Sequence, residues 1–339
     1  LSVVKSVVLE GCSRCYHQSQ DIHEFIFRYY PTSKDAMTAY ELGEVEGIGE
    51  VDEVILNEVL SDADLAVYSA REPLLTMLYL NLENPEVNFL QNPDFRRALL
   101  SSINNDLIIE RVYNGQAIPA NGPIMPGTWA LYEDIEKINY DLVSAKSLLE
   151  STGVHFDEEL GLSVTEEGLD VEVRLLHPDD SHHAEIAAII KANWDALGIN
   201  VILDAKPYDE VLADLKSRTY QTALVDINLT RSPDPDPYPF WGQAQLKSGQ
   251  NYAEWDNRSA SEFLEQARMT VDLSERERLY RNFQVLFMRE LPSLPLLYPV
   301  YTYAVTDDIN GVNIGPIFEP ADRFNNVHNW YSFTHSVIS

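Results

Sequence analysis

Val171-Glu-Val-Arg-Leu-Leu-His-Pro-Asp-Asp-Ser-His-His-Ala-Glu-Ile-Ala-Ala-Ile-Ile-Lys-Ala-Asn-Trp-Asp-Ala-Leu-Gly-Ile-Asn-Val-Ile-Leu203 is the stretch from which the fold can be read. Residues 171 to 176 alternate as a strand, with every second side chain on one face. Residues 184 to 197 then change period: Ile186, Ile189, Ile190, Trp194 and Leu197 fall on one side of a helix, which Gly198 closes. Val201 to Leu203 returns to a strand. Strand, helix and strand in this order predict a βαβ unit with parallel strands and the helix packed on the sheet. In such sheets ligands collect outside the carboxyl ends of the strands. The polar run His177-Pro-Asp-Asp-Ser-His-His183 sits at that handover.

Outward from this unit, an amphipathic segment from Tyr208 to Leu215 precedes a further strand at 223 to 229, where Asp226 and Asn228 point to one face. Arg231 to Trp241 contains four prolines in seven residues and reads as a rigid loop. Upstream, residues 22 to 30 and 76 to 82 read as strands. Helices are expected after Ser33, after Asn92-Pro93, from Asn105 or Asp106, and after Asp141; the proline-rich segment from Ala117 to Pro126 reads as irregular. Downstream, a helix near Ala260 to Met269 precedes a longer one whose Ser274 and Glu277 form a capping box. Pro292, Pro295 and Pro299 punctuate an apolar strand region through Tyr303. The fold class is α/β.

Composition narrows function. The 339 residues hold 24 Lys and Arg against 54 Asp and Glu, a formal charge of −30, which repels phosphate backbones and anionic lipid; nucleic acid is not an expected partner. Apolar residues form 45% of the chain, with 18 Tyr and 12 Phe, enough for a globular core in about two domains. From Asp35 to Ala70 there are acids and no Lys or Arg, which reads as a solvated acidic face. Cys12 and Cys15 form a lone CxxC, read as incidental thiols or a local disulfide. The phosphate-cradling, zincin and nucleophile-elbow motifs are missing. From His177 to His183 three His and two Asp offer divalent-metal ligands, an anion site at the helix N-terminus after Ser181, an organic-ligand contact, or a helix-capping sequence with exposed histidines.

Seven stretches, in order, resemble one family, the peptide/nickel-type (family 5) extracytoplasmic solute-binding proteins of ABC importers. They are Phe25 to Gly43 with Glu44-Val-Glu46; Tyr79-Leu-Asn-Leu with Asn92-Pro-Asp-Phe-Arg-Arg-Ala-Leu99; Gly115 to Pro126; Ala145-Lys146 through Gly153; Trp194 to Val201; Pro233-Asp-Pro; and Arg276 to Tyr298. The resemblance implies a type II periplasmic-binding-protein-like fold. It implies one complete lobe at 77–303 and part of the other at 1–76 and 304–339, the N-terminal portion and export signal lying upstream.

It also implies an extracytoplasmic receptor, free or lipid-anchored, with no catalytic residue, no cofactor and no metal. Such a receptor binds a peptide, a nickel chelate or a similar small solute between two lobes and delivers it to a membrane permease. The ligand contacts implied are His182, Asp226, Asn228, Arg231, Asp234 and Tyr298. Arg231 departs from the family pattern, which places there an Asp receiving the ligand's ammonium; a guanidinium instead suits a carboxylate or phosphate, leaving Asp226 or Asp236 for the ammonium. Two other readings are a metal-dependent hydrolase using His177, His182, His183 and Asp179 or Asp180, and a truncated interaction domain.

Overall fold

The computed structural model describes residues 5–11, 21–229, 234–315 and 317–333; Cys12, Cys15 and Arg231 lie outside them. The chain forms two compact units, one of residues 1–72 and 299–339 and one of Pro73–Tyr298. These divisions fall a few residues before the 76/77 and 303/304 expected from sequence.

In the first unit, β1 (Ser6–Glu10) and β2 (Glu24–Arg28) form an antiparallel pair. They are followed by α1 (Ser33–Glu41), β3 (Gly47–Ile48), α2 (Leu56–Ser61) and β4 (Leu65–Arg71). Thr32, one residue before the expected Ser33, caps α1 by accepting from the Asp35 amide. In the second unit come β5 (Leu74–Leu80), α3 (Pro93–Ser102), α4 (Asn105–Tyr113), β6 (Ala117–Pro119), α5 (Leu142–Ser151), β7 (His155–Asp157) and β8 (Leu162–Val164). Then follow β9 (Glu172–Pro178), α6 (Ser181–Asp195), β10 (Asn200–Lys206), α7 (Tyr208–Ser217), β11 (Thr222–Asn228), α8 (Tyr238–Trp241), α9 (Arg258–Met269) and α10 (Leu273–Glu290). The last long strand, β12 (Ser293–Thr306), begins in the second unit and ends in the first.

The later part of β12 pairs antiparallel with β4 and β3, and its alternation builds two cores. Ala304 faces Met37, Ile48, Ile55 and Val59. Tyr301, Tyr303 and Val305 face the other way, onto Trp330 and Phe25, with the Tyr303 ring stacked on Trp330 at 6.0 Å.

The second unit's sheet runs β10-β9-β11-β5-β12. As the opening stretch predicts, β9 and β10 are parallel, Val173 opposite Val201, with α6 between them in sequence. Ile186, Ile190 and Trp194 are buried from α6, and the Trp194 indole donates to the Leu99 carbonyl of α3 at 3.3 Å. Gly198 ends the turn at φ +80°, and a Cβ there would stand 2.7 Å from Phe156 and from Ser163, so both the backbone and the space require glycine. β11 runs parallel to β9 and antiparallel to β5, placing Asp226 opposite Thr76.

The segment expected to be irregular contains β6, which pairs with β12, and the Ala120 amide extends this edge by donating to Leu296 at 2.9 Å. Arg96 is buried, its guanidinium spent on the carbonyls of Leu90 and Glu290; burial pulls its pKa down to about 10 against the opposing pull of Glu290.

Two more caps sit upstream of the expected positions. Asn104 caps α4, accepting from Leu107 at 3.0 Å, and Asp272 caps α10, accepting from Glu275 at 2.8 Å. Asp272→Ala is therefore expected to cost about 1 kcal/mol in urea denaturation, with Ser274→Ala nearly silent. Equal losses in the two variants would return the cap to Ser274.

Candidate functional site

Because β9, β10 and β11 are parallel, their carboxyl ends open on the same edge of the sheet, and antiparallel β5 starts there. Asp180 follows β9 and caps α6, its Oδ1 accepting from the His183 amide at 3.0 Å. This cap fixes the first turn of α6 and, with it, the His183 ring. Nδ1 of that ring lies 2.8 Å from Asp180 Oδ2, and Nε2 stands 3.3 Å from Asp226 Oδ2, at ion-pair distance rather than in hydrogen-bond alignment. The second Asp226 oxygen, Oδ1, accepts the Thr76 hydroxyl at 2.6 Å. One chain of contacts thus joins α6, β11 and β5.

Burial alone would lower the His183 pKa, but the Asp226 and Asp180 carboxylates outweigh it and raise the value above the ordinary 6.5. Asp180 moves the other way: partial burial pulls it up, and the His183 amide and ring charge bring it below 3.8. At the start of α7, Tyr208 is half exposed, and its hydroxyl is pushed up by burial and then by the Asp226 charge. With two carboxylates flanking one histidine, this edge carries surplus negative charge in either protonation state of the ring. The Asp226 side chain keeps 27% exposure, so it remains open to an incoming cation.

The residues singled out from sequence divide. Asp226 is in the cluster. His182 precedes His183 in the chain, its ring 5.8 Å from that of Tyr113. Asn228 shares the face of Asp226 and is exposed at the end of β11. Asp234 bonds Arg276 at 2.6 Å, and that guanidinium lies over the Trp129 ring at 4.8 Å. Asp236 pairs with Arg268 at 2.8 Å and accepts from the Tyr238 amide. Tyr298 is a core residue, its hydroxyl donating to the Gly122 and Ile124 carbonyls at 2.8 and 3.0 Å. Arg231 lies outside the described residues.

His177 is buried, with Nδ1 2.7 Å from the Pro178 carbonyl, so it does not join the histidines of α6. Among the described residues no group of three or more His, Cys, Asp or Glu is arranged to hold a metal ion. The metal-dependent hydrolase reading loses its ligand set. Thr76 is a contact that sequence reading did not single out; its signal is that it is the one aliphatic hydroxyl in the otherwise apolar and aromatic run Leu74-Leu-Thr-Met-Leu-Tyr-Leu80.

The model of the bacterial extracellular solute-binding proteins, family 5 (middle), matches residues 5–250. The chain belongs to this family. The dipeptide-binding protein of Escherichia coli (strain K12) is 26% identical over 256 residues, covering 75% of this chain and 46% of that protein. Di/tripeptide-binding protein 2 of Pseudomonas aeruginosa (strain UCBPP-PA14) is 29% identical over 229 residues, covering 67% and 41%. This family 5 chain therefore spans less than half the length of these curated relatives. Among solved structures, HbpA2 from Haemophilus parasuis superposes with a TM-score of 0.82 at 18% identity, covering 98% of this chain and 63% of that one, a likeness in fold. That fold is the type II periplasmic-binding-protein fold expected of a family 5 member. Among the described residues no helix is long and apolar enough to cross a membrane.

Proposed function

We propose that the complete protein is the solute-binding receptor of an ABC importer, taking up a peptide or a related small solute without chemical change and passing it to the membrane permease. The observation that carries this is the family match over residues 5–250. In this reading the protein works outside the cytoplasm, residues 77–303 are a complete lobe, and 1–76 with 304–339 contribute to the other. The ligand meets the carboxyl edge of β9, β10 and β11, where Asp226 receives its ammonium and His182 and Asn228 flank it. The partial exposure and surplus negative charge at Asp226 support that role. Asp236 is the weaker candidate because Arg268 already neutralises it.

The test is to mix the complete protein with defined dipeptides, tripeptides and nickel–histidine, follow tryptophan fluorescence, and recover the ligands for mass spectrometry. Saturable binding of peptides recovered intact is expected. Cleaved peptide would overturn the reading in favour of an enzyme, and binding of the nickel chelate alone would move the solute class.

A further inference from the structure

We propose that His183 is a proton-operated latch on Asp226: as imidazolium it ties the first turn of α6 to the end of β11, and on losing its proton it releases the Asp226 carboxylate. The chemistry of the ring carries the argument. A neutral imidazole has one N–H and one lone pair, so it can serve only one of two flanking carboxylates; the imidazolium serves both. His183 has an acid against each nitrogen, Asp180 at 2.8 Å and Asp226 at 3.3 Å. In either neutral tautomer a lone pair would face a carboxylate oxygen within 3.3 Å, in a ring whose side chain is only 13% exposed. The contact with Asp226 is the longer and less aligned of the two, so it is the one that opens. Asp180 also holds the His183 backbone amide, so the ring stays anchored to α6 when the latch opens.

The groups around the ring leave it this proton. On its own element are Asp180 and His182, the latter against Tyr113 of α4. From β11 comes Asp226, itself held by Thr76 of β5, and from α7 comes the Tyr208 hydroxyl near Asp226. On β10, Lys206 is taken up by Asp204 at 3.7 Å and by Asp214 of α7 at 2.7 Å. On β9, His177 is turned to the Pro178 carbonyl.

The functional consequence rests on the reading of Asp226 as a ligand contact. A cationic ligand group reaching Asp226 Oδ2 displaces the imidazolium, whose proton passes to solvent. Binding then releases protons, and affinity for the cation falls as the pH drops through the His183 midpoint.

The test needs no ligand, so it can fail independently of the function proposed above. In ring-nitrogen NMR of the ligand-free chain across the neutral range, the His183 midpoint is expected above 6.5, with both nitrogens protonated below it. The midpoint falls in Asp226→Asn and in Asp180→Asn, each of which preserves shape, and asparagine remains a competent cap at 180. The amides of Thr76 and Asn228 follow the same midpoint in the wild type and stop doing so in His183→Gln. Because the folded value is the higher one, the stability lent by the latch is fully present below the unfolded value of 6.5 and is lost as pH rises through the folded midpoint; His183→Gln removes that slope. A midpoint at or below 6.5, or Thr76 and Asn228 amides that ignore the His183 titration, would overturn the latch.

Discussion

Asp226→Asn in the complete protein is expected to weaken binding of a peptide with a free amino terminus by about 30-fold or more. Removing one partner of a desolvated charge pair costs about 2 kcal/mol or more, and each 1.4 kcal/mol is about tenfold in affinity. Asparagine has the shape of aspartate and keeps an oxygen for the Thr76 hydroxyl, so the strand pairing at this point survives the change. The loss is therefore one of charge. The matching control is an amino-terminally acetylated peptide, which carries no ammonium: wild type binds it weakly, and the variant no longer distinguishes it from the free peptide. Calorimetric titration reads both. Equal affinity of wild type and variant for the free peptide would place the ammonium elsewhere.

Trp194→Ala is expected to destabilise the unit Pro73–Tyr298 by about 3–5 kcal/mol, the range for removing a large buried aromatic. The indole is fully buried on the inner face of α6 and also donates to Leu99 of α3, so truncation opens a cavity and removes one of the donors to the Leu99 carbonyl, which keeps the Ser102 hydroxyl at 2.8 Å. The effect should reach the site, because α6 carries Asp180 and His183 at its other end. Urea denaturation measures it, and a loss under about 1 kcal/mol would mean that α6 is held mainly by contacts other than this one.

The sheet and its carboxyl edge are legible where one physical signal governs. The alternation at 171 to 176, the helical spacing from Ile186 to Leu197 and the glycine at 198 each admit one structure, and β9, α6 and β10 follow. Asn92 and Asp141 are readable caps for the same reason. Where several eligible side chains stand close together, as in Thr32-Ser33, Asn104-Asn105-Asp106 and Asp272-Leu-Ser274, residue type cannot choose among them. The choice is made by which residue leaves the helical φ/ψ region, and that depends on the chain entering the helix.

Prolines at 119 and 123 suggest irregular structure, yet a three-residue edge strand tolerates a proline at its end, and β6 forms. At the site, alternation is enough to turn Asp226 and Asn228 to one face. The bond from Thr76 to Asp226 spans 150 residues and exists only because of the β5–β11 register, which no local pattern reports. Tyr298 illustrates the converse: its neighbourhood resembles a family motif, while its hydroxyl is committed to two carbonyls in the core.

We propose that the complete protein holds its solute, unaltered, at the carboxyl edge of β9, β10 and β11. Backbone amide mapping of the complete protein titrated with a defined dipeptide tests it most directly. The account predicts saturable shifts centred on Thr76, His182, His183, Tyr208, Asp226 and Asn228, with the dipeptide recovered whole. Shifts that leave these six residues untouched, or a dipeptide recovered as free amino acids, would contradict it.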